Sequence, residues 1–313
     1  MTADYGTRLP ANVTIPDDTE FEMLIDAFLS RYGTSTRNEY GRDIAMFRQW
    51  CETHADGVHP FHARRMTIEA YVRYLSDERG NAARSVNRRL ISLRQFFEYA
   101  LDDDYVMKNP CRNVRMARPK LDLSKKVHLN REETQRFLRA AYDSSPSDYA
   151  MCTLMAYLGM RVSEVCELNV PDVLQYSKGH RVVTFVGKNG DPATLPQAPV
   201  IMRALDTVIE SLEDKQGPLF IRRDGTRMTR RSADRVVKRI ANKAAINDMV
   251  VSPHTLRHGA IANAIDAGIP LREVQLAARH RDISTTIRIY DRGRLNLDTH
   301  ASHGLAAYLG SVA

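Results

Sequence analysis

Two proline steps inside one basic stretch decide how this chain folds. The segment "KNPCRNVRMARPKLDLSKK", residues 108–126, contains Asn109-Pro110 and Arg118-Pro119, and a residue before proline is driven out of the α region. Helical periodicity is strong on both sides of this break and lost within it. The chain therefore divides into a flexible N-terminus at 1–16, a helical domain at 17–110, a basic linker at 111–128 and a second domain at 129–313. Its 313 residues suffice for two cores at roughly 150 residues per domain. Between Cys111 and His128 six Lys or Arg face one Asp, a balance that suits phosphate groups.

The first domain reads as four helices. Phe21, Leu24, Ile25 and Phe28 form an apolar stripe behind the cap candidates Asp17 and Asp18. A second helix starts near Thr36, and Thr67 opens a third. In the fourth, Ala82 to Leu101, the core positions Val86, Leu90, Leu93 and Phe97 alternate with Arg84, Arg88, Arg89 and Arg94. Such arginines form either a solvated face or a contact to a nucleic-acid groove. In the second domain Asn130 and Glu133 make a capping box, and helices are predicted at 131–142, 147–158, 162–168, 199–213, 229–244, 255–266 and 271–279. The run "RVVTFVGKNGDPATLP" reads as a β-hairpin with Lys188 at its turn. The fold class is mainly α, with one small β element in the second domain.

Charge points to a partner. Net charge is +7, from 45 Lys and Arg against 38 acids, and an excess of this size favours a polyanion such as nucleic acid. Residues 221–239, "IRRDGTRMTRRSADRVVKR", add eight basic residues against two Asp, with Arg230, Arg231 and Arg235 at a helix start near Thr229 and Ser232. The four cysteines, Cys51, Cys111, Cys152 and Cys166, form no C-x-x-C pair, which is neither a zinc framework nor a disulfide scaffold. No signal layout and no apolar run of about 18 residues is present, so a soluble, cytoplasmic, DNA-associated protein is expected.

The stretch "PHTLRHGAIA", residues 253–262, sets His254 and His258 four apart on one helical face around Arg257. That spacing also serves helical metal pairs, but there the residue after the first histidine is a glutamate. Here it is Thr255, and Arg257 adds a fixed positive charge. The alternative is a site for an anion with several oxygens. Five further stretches matter beside it: "GMRVSEVCEL", "VGKNG", "RRSADRVVKR", "LAARHRDISTT" and "IRIYDR".

In order, these stretches supply Arg161, Lys188, His254, Arg257, His280 and Tyr290. The series resembles the tyrosine site-specific recombinases, the family of phage integrases and Xer-type recombinases. "GMRVSEVCEL" looks like the family's first arginine box, "HTLRH" like its second, and Tyr290 follows His280 by ten residues as the family's nucleophile does. The resemblance spans the second domain, and a helical core-binding domain with a basic linker agrees with it. One departure stands out: the family commonly has leucine and glycine before the box histidine, and this chain reads Ala278-Arg279-His280. Only about 16 residues precede the first helix, so the short form without an arm-binding domain is expected.

The resemblance implies a two-domain DNA clamp that cuts and rejoins duplex DNA through a 3′-phosphotyrosyl link and a four-way junction. Tyr290 is the implied nucleophile, Arg161 and Arg257 hold the phosphate, and Lys188 protonates the departing 5′ oxygen. His254 and His280 are further phosphate ligands, with Glu164 and His258 in support. No metal and no cofactor are implied. Arg84, Arg88, Arg89, Arg94, Arg115, Arg118, Lys120, Arg230, Arg231 and Arg235 are the expected backbone contacts to DNA. The implied partners are a duplex core site with inverted repeats, a homotetramer on two such sites, and an accessory directionality factor. No membrane partner is implied. A short C-terminal helix presenting Leu305, Tyr308 and Leu309 is expected to exchange between subunits. A topoisomerase-like relaxing enzyme and a DNA-binding protein without catalysis are the rival readings.

Overall fold

The computed structural model of the chain describes residues 18–117, 126–187, 190–290, 305–306 and 309–310, with Arg288 and Tyr290 described in their backbone only. The chain divides into two compact units between Leu121 and Asp122.

The N-terminal unit is built on α1 (Asp18–Ser30), α2 (Thr34–His54), α3 (Arg65–Arg73) and α4 (Ala83–Asp102). The Thr67 hydroxyl accepts the Arg64 N–H at 3.1 Å and so caps α3 two residues earlier than its sequence suggests. One π-helical turn, Tyr74–Glu78, continues it. The core is aromatic: Phe21, Phe28, Phe47, Tyr71, Phe96 and Phe97 are all withdrawn from water, each stabilising the unit by about 1.5–3 kcal/mol. Edge-to-face contacts such as Phe21 on Phe61, at 4.9 Å between ring centroids, orient them.

This core also takes in Cys111 and Val114, and the Ala117 N–H donates to the Asn87 side chain at 2.8 Å. The first seven residues of the expected linker therefore pack as part of the first unit. Arg118 and Lys120 lie outside the described residues.

The C-terminal unit surrounds α6 (Pro146–Tyr157), whose residues Ala150 to Ala156 are all buried. A helix apolar on every side has to be central. Against it pack α5 (Arg131–Tyr142), α8 (Pro199–Ser211) and α10 (Pro253–Asp266), with α7 (Val162–Glu167), α9 (Arg230–Lys243), α11 (Leu271–Ala278) and α12 (Ile283–Tyr290) completing the shell. The Asn130 side chain accepts the Glu133 N–H at 2.9 Å while Glu133 accepts the Asn130 N–H at 3.0 Å, the capping box read from the sequence.

The β element has three strands: β1 (Gln175–Ser177), β2 (His180–Val186) and β3 (Pro192–Pro196), antiparallel in that order. β1 is three exposed residues long, too short for an alternating pattern to reveal it. α12 is likewise missing from the sequence reading, because "ISTTIRIY" is rich in β-branched residues that favour extended structure.

Candidate active site

Arg257 is the keystone of the site. It stands one turn into α10, whose first turn is set by Ser252 and Pro253: the Ser252 hydroxyl accepts the Thr255 N–H at 3.3 Å. Only 4% of Arg257 is exposed. Its Nη1 donates to the Gly159 carbonyl and its Nη2 to the Ala278 carbonyl. Those carbonyls lie two residues before Arg161 and two before His280, so one buried side chain ties together segments far apart in the chain. Burial, and then the charges of Arg161 and Arg279, lower its pKa to about 10, and it remains a cation at neutral pH.

Arg161 caps α7 and keeps a third of its side chain exposed. Glu164, one turn on, accepts the Arg161 backbone N–H at Oε2 (2.7 Å) and Arg161 Nη1 at Oε1 (2.7 Å). Arg279 Nη2 donates to the same Oε2 at 2.8 Å. Burial works to raise the Glu164 pKa, but the backbone bond from Arg161 and the guanidinium bonds from Arg279 and Arg161 outweigh it and hold the acid below its usual range. Glu164 is thus an anion that orients cations.

His254 and His258 face each other across one turn, with ring centroids 4.0 Å apart. Burial, then Arg257 and Arg161, depress the His254 pKa. His280 follows α11, and its Nδ1 lies 2.9 Å from the Thr286 hydroxyl on α12. Burial first, then Arg257, Arg161, Arg279 and His254, bring its pKa down to about 4. Both rings are neutral at pH 7, which suits donation to an anion and acceptance of a proton. Among the described residues no three His, Cys, Asp or Glu converge as metal ligands.

The structure brings Arg161, Glu164, His254, Arg257, His258 and His280 into one unit around α10. Lys188 lies outside the described residues. The strands on either side of it are present, and Gly187 donates to the Asp191 carbonyl at 2.7 Å. Tyr290 is the last of the eight residues of α12, and its side chain lies outside the described residues. Arg279 and Thr286 are site members that the sequence reading did not assign.

The expected DNA contacts separate into two groups. Arg88 donates to Asp43 with both Nη atoms, at 2.6 and 2.9 Å, and Arg89 Nε lies 3.7 Å from the same carboxylate. Arg94 holds the carbonyls of Cys111 and Val114. These three guanidiniums secure the first unit internally. Arg84, Arg115, Arg230, Arg231 and Arg235 are exposed.

Comparison with known proteins agrees with this geometry. Residues 128–295 match the phage integrase family, and residues 22–106 match the phage integrase N-terminal SAM-like domain. The tyrosine recombinase XerD of Listeria innocua is 28% identical over 280 residues, covering 86% of this chain and 91% of its own. That of Bifidobacterium longum is 29% identical over 290 residues, covering 85% and 91%. Among solved structures, XerH recombinase bound to palindromic difH in a post-cleavage complex aligns with TM-score 0.71 at 18% identity, covering 96% of this chain and 92% of its own. A lambda integrase dimer bound to a COC′ core site aligns with TM-score 0.70 at 17% identity, covering 87% and 78%. At these identities the likeness establishes the shared fold. Among the described residues no helix is long and apolar enough to cross a membrane.

Proposed function

We propose how this site works from one premise: the chain belongs to the phage integrase family, and it is a tyrosine recombinase of site-specific DNA recombination. Its substrate is duplex DNA. The scissile phosphate sits between Arg161 and Arg257. A guanidinium has five N–H donors, and Arg257 engages two with the Gly159 and Ala278 carbonyls, so three remain for phosphate oxygens. Fixed, partly desolvated donors stabilise the extra charge of the pentavalent transition state more than the ground state.

Tyr290 supplies the nucleophile. Its phenolic oxygen bonds to phosphorus as the bond from phosphorus to the 5′ oxygen breaks, leaving a 3′-phosphotyrosyl link and a 5′-hydroxyl. His254, neutral at pH 7, takes the phenolic proton. Lys188 protonates the departing 5′ oxygen. The Thr286 hydroxyl against Nδ1 of His280 holds the ring in place, and an N–H on its far nitrogen, Nε2, donates to a non-bridging oxygen. Rejoining reverses these steps with a 5′-hydroxyl from the partner strand. One phosphodiester replaces another, so neither ATP nor a metal is required.

The observation that carries this reading is the single buried guanidinium of Arg257 bridging Gly159 and Ala278. It ties the segments that carry Arg161 and His280 to the helix that carries His254.

The finer assignment is a core site of inverted repeats, four subunits on two sites, a four-way junction and an accessory factor that sets direction, in the cytoplasm on DNA. Arg84, Arg115, Arg230, Arg231 and Arg235 contact the DNA backbone, as do Arg118 and Lys120. The exposed Leu305 and Leu309 belong to a tail, with Tyr308, that docks on a neighbouring subunit. The test uses a nicked duplex carrying a site that the protein selects from a randomised library. Tyr290→Phe is expected to bind that duplex like the wild type and to form no denaturation-resistant adduct. An adduct of normal yield in the Phe variant contradicts the assignment.

A further inference from the structure

Arg279 occupies a place built for glycine. It closes α11 in the left-handed conformation, with φ 55° and ψ 42°, where a side chain is disfavoured and glycine is the usual occupant. The backbone has no use for an arginine there. A residue kept against its own conformational preference points to work done by its side chain.

That side chain touches both halves of the site's scaffold. Nη2 bonds Glu164 Oε2, the same oxygen that accepts the Arg161 backbone N–H. The guanidinium carbon lies 4.5 Å from the centroid of the Phe185 ring, a cation–π contact. Phe185 is on β2, three residues before Lys188 in the sequence. Nε and Nη1 are buried with no hydrogen-bond partner, so the group is not held there to satisfy its own donors. One carboxylate now bonds two guanidiniums, those of Arg161 and Arg279, with the charge of Arg257 close by. Glu164 therefore orients Arg161 without cancelling its charge.

We infer that Arg279 is a positioning residue for strand cleavage, fixing Arg161 through Glu164 and the end of β2 through Phe185. The inference rests on the reading of this cluster as the phosphate site. It adds a residue that acts on Arg161 and on the strand before Lys188 in the sequence, and that touches no reacting atom itself.

Arg279→Gly tests this cleanly, because glycine fits the left-handed backbone and the variant is expected to fold. Affinity for the selected duplex is expected within about twofold of wild type, while single-turnover cleavage of the nicked duplex falls about 10- to 100-fold. The melting temperature should stay level or rise. Arg279→Lys keeps the charge and recovers part of the rate without the planar fork. In a Glu164→Gln background, Arg279→Gly should lower the rate by a smaller factor than it does alone. Cleavage by Arg279→Gly within about twofold of wild type overturns the inference. So does a rate loss accompanied by a matching fall in melting temperature, or an undiminished loss in the Glu164→Gln background. Wild-type protein in the same assay separates the two levels. If it forms no adduct on the selected duplex, the reading of the site fails and the inference fails with it. If it does and Arg279→Gly equals it, the inference alone fails.

Discussion

Asp43 in the N-terminal unit and Glu164 in the C-terminal unit are both nearly withdrawn from water, at 2% and 5% exposure, and both accept hydrogen bonds from arginines. Asp43 takes a two-pronged grip from Arg88 and a third bond from the Ser92 hydroxyl at 2.7 Å, with Arg89 close by. Its charge is matched from within, and the unit gains a cross-brace between α2 and α4. Glu164 takes one prong and a backbone N–H from Arg161, shares an oxygen with Arg279, and lies near the charge of Arg257. Three arginines surround that one acid, against two around Asp43. We read the first acid as a brace and propose the second as part of a reaction site, because the arginines around Glu164 stand among His254 and His280. Position in the sequence does not distinguish the two.

The largest effect that sharpens this contrast is kinetic. Arg161→Ala removes a proposed phosphate ligand and leaves Glu164 still paired with Arg279. Single-turnover cleavage is expected to fall on the order of 10²- to 10³-fold, with the melting temperature nearly unchanged because the side chain is a third exposed. A collapse in stability of the same variant would make Glu164 a brace like Asp43.

The converse variant is Asp43→Asn. Removing the charge leaves Arg88 and Arg89 unmatched beside a buried group, a loss of about 2–3 kcal/mol after allowance for the half-exposed Arg88. Denaturant unfolding of the N-terminal unit should report it, while cleavage at saturating duplex stays at the wild-type rate. A kinetic defect with intact stability would break the distinction.

The smallest effect is a titration. The His280 pKa falls from 6.5 to about 4 on folding, so between those values the unfolded chain binds the additional proton. Stability then rises with pH across the window and is lost as pH falls from 6.5 toward 4. His280→Gln should show a shallower fall in melting temperature over that window than the wild type. An equally steep fall would place the acid sensitivity elsewhere.

Much of the site was legible because its parts are short and local. The Asn130–Glu133 capping box, the helix start at Pro253 and the face shared by His254 and His258 follow from residues within one turn of each other. What escaped depends on distant partners. Arg88 looks like its neighbour Arg84 until Asp43, 45 residues away, claims it. Arg257 is recognisable as a box residue, yet its anchors at Gly159 and Ala278 are 98 and 21 residues distant. "Ala278-Arg279-His280" reads as a break in a motif. The left-handed backbone and the bond to Glu164 place it in the cluster around Arg161. α12 was lost to local preference, since its β-branched residues form a helix only because the shell of the C-terminal unit demands one.

Where the DNA becomes attached is the most direct test of the account. Wild-type protein trapped on the nicked duplex, digested with trypsin and analysed by mass spectrometry should carry the nucleotide on the peptide Ile289-Tyr290-Asp291-Arg292, with the phosphate on the tyrosine oxygen. Attachment through any other residue would contradict the assignment of the site around Arg161, Arg257 and His280.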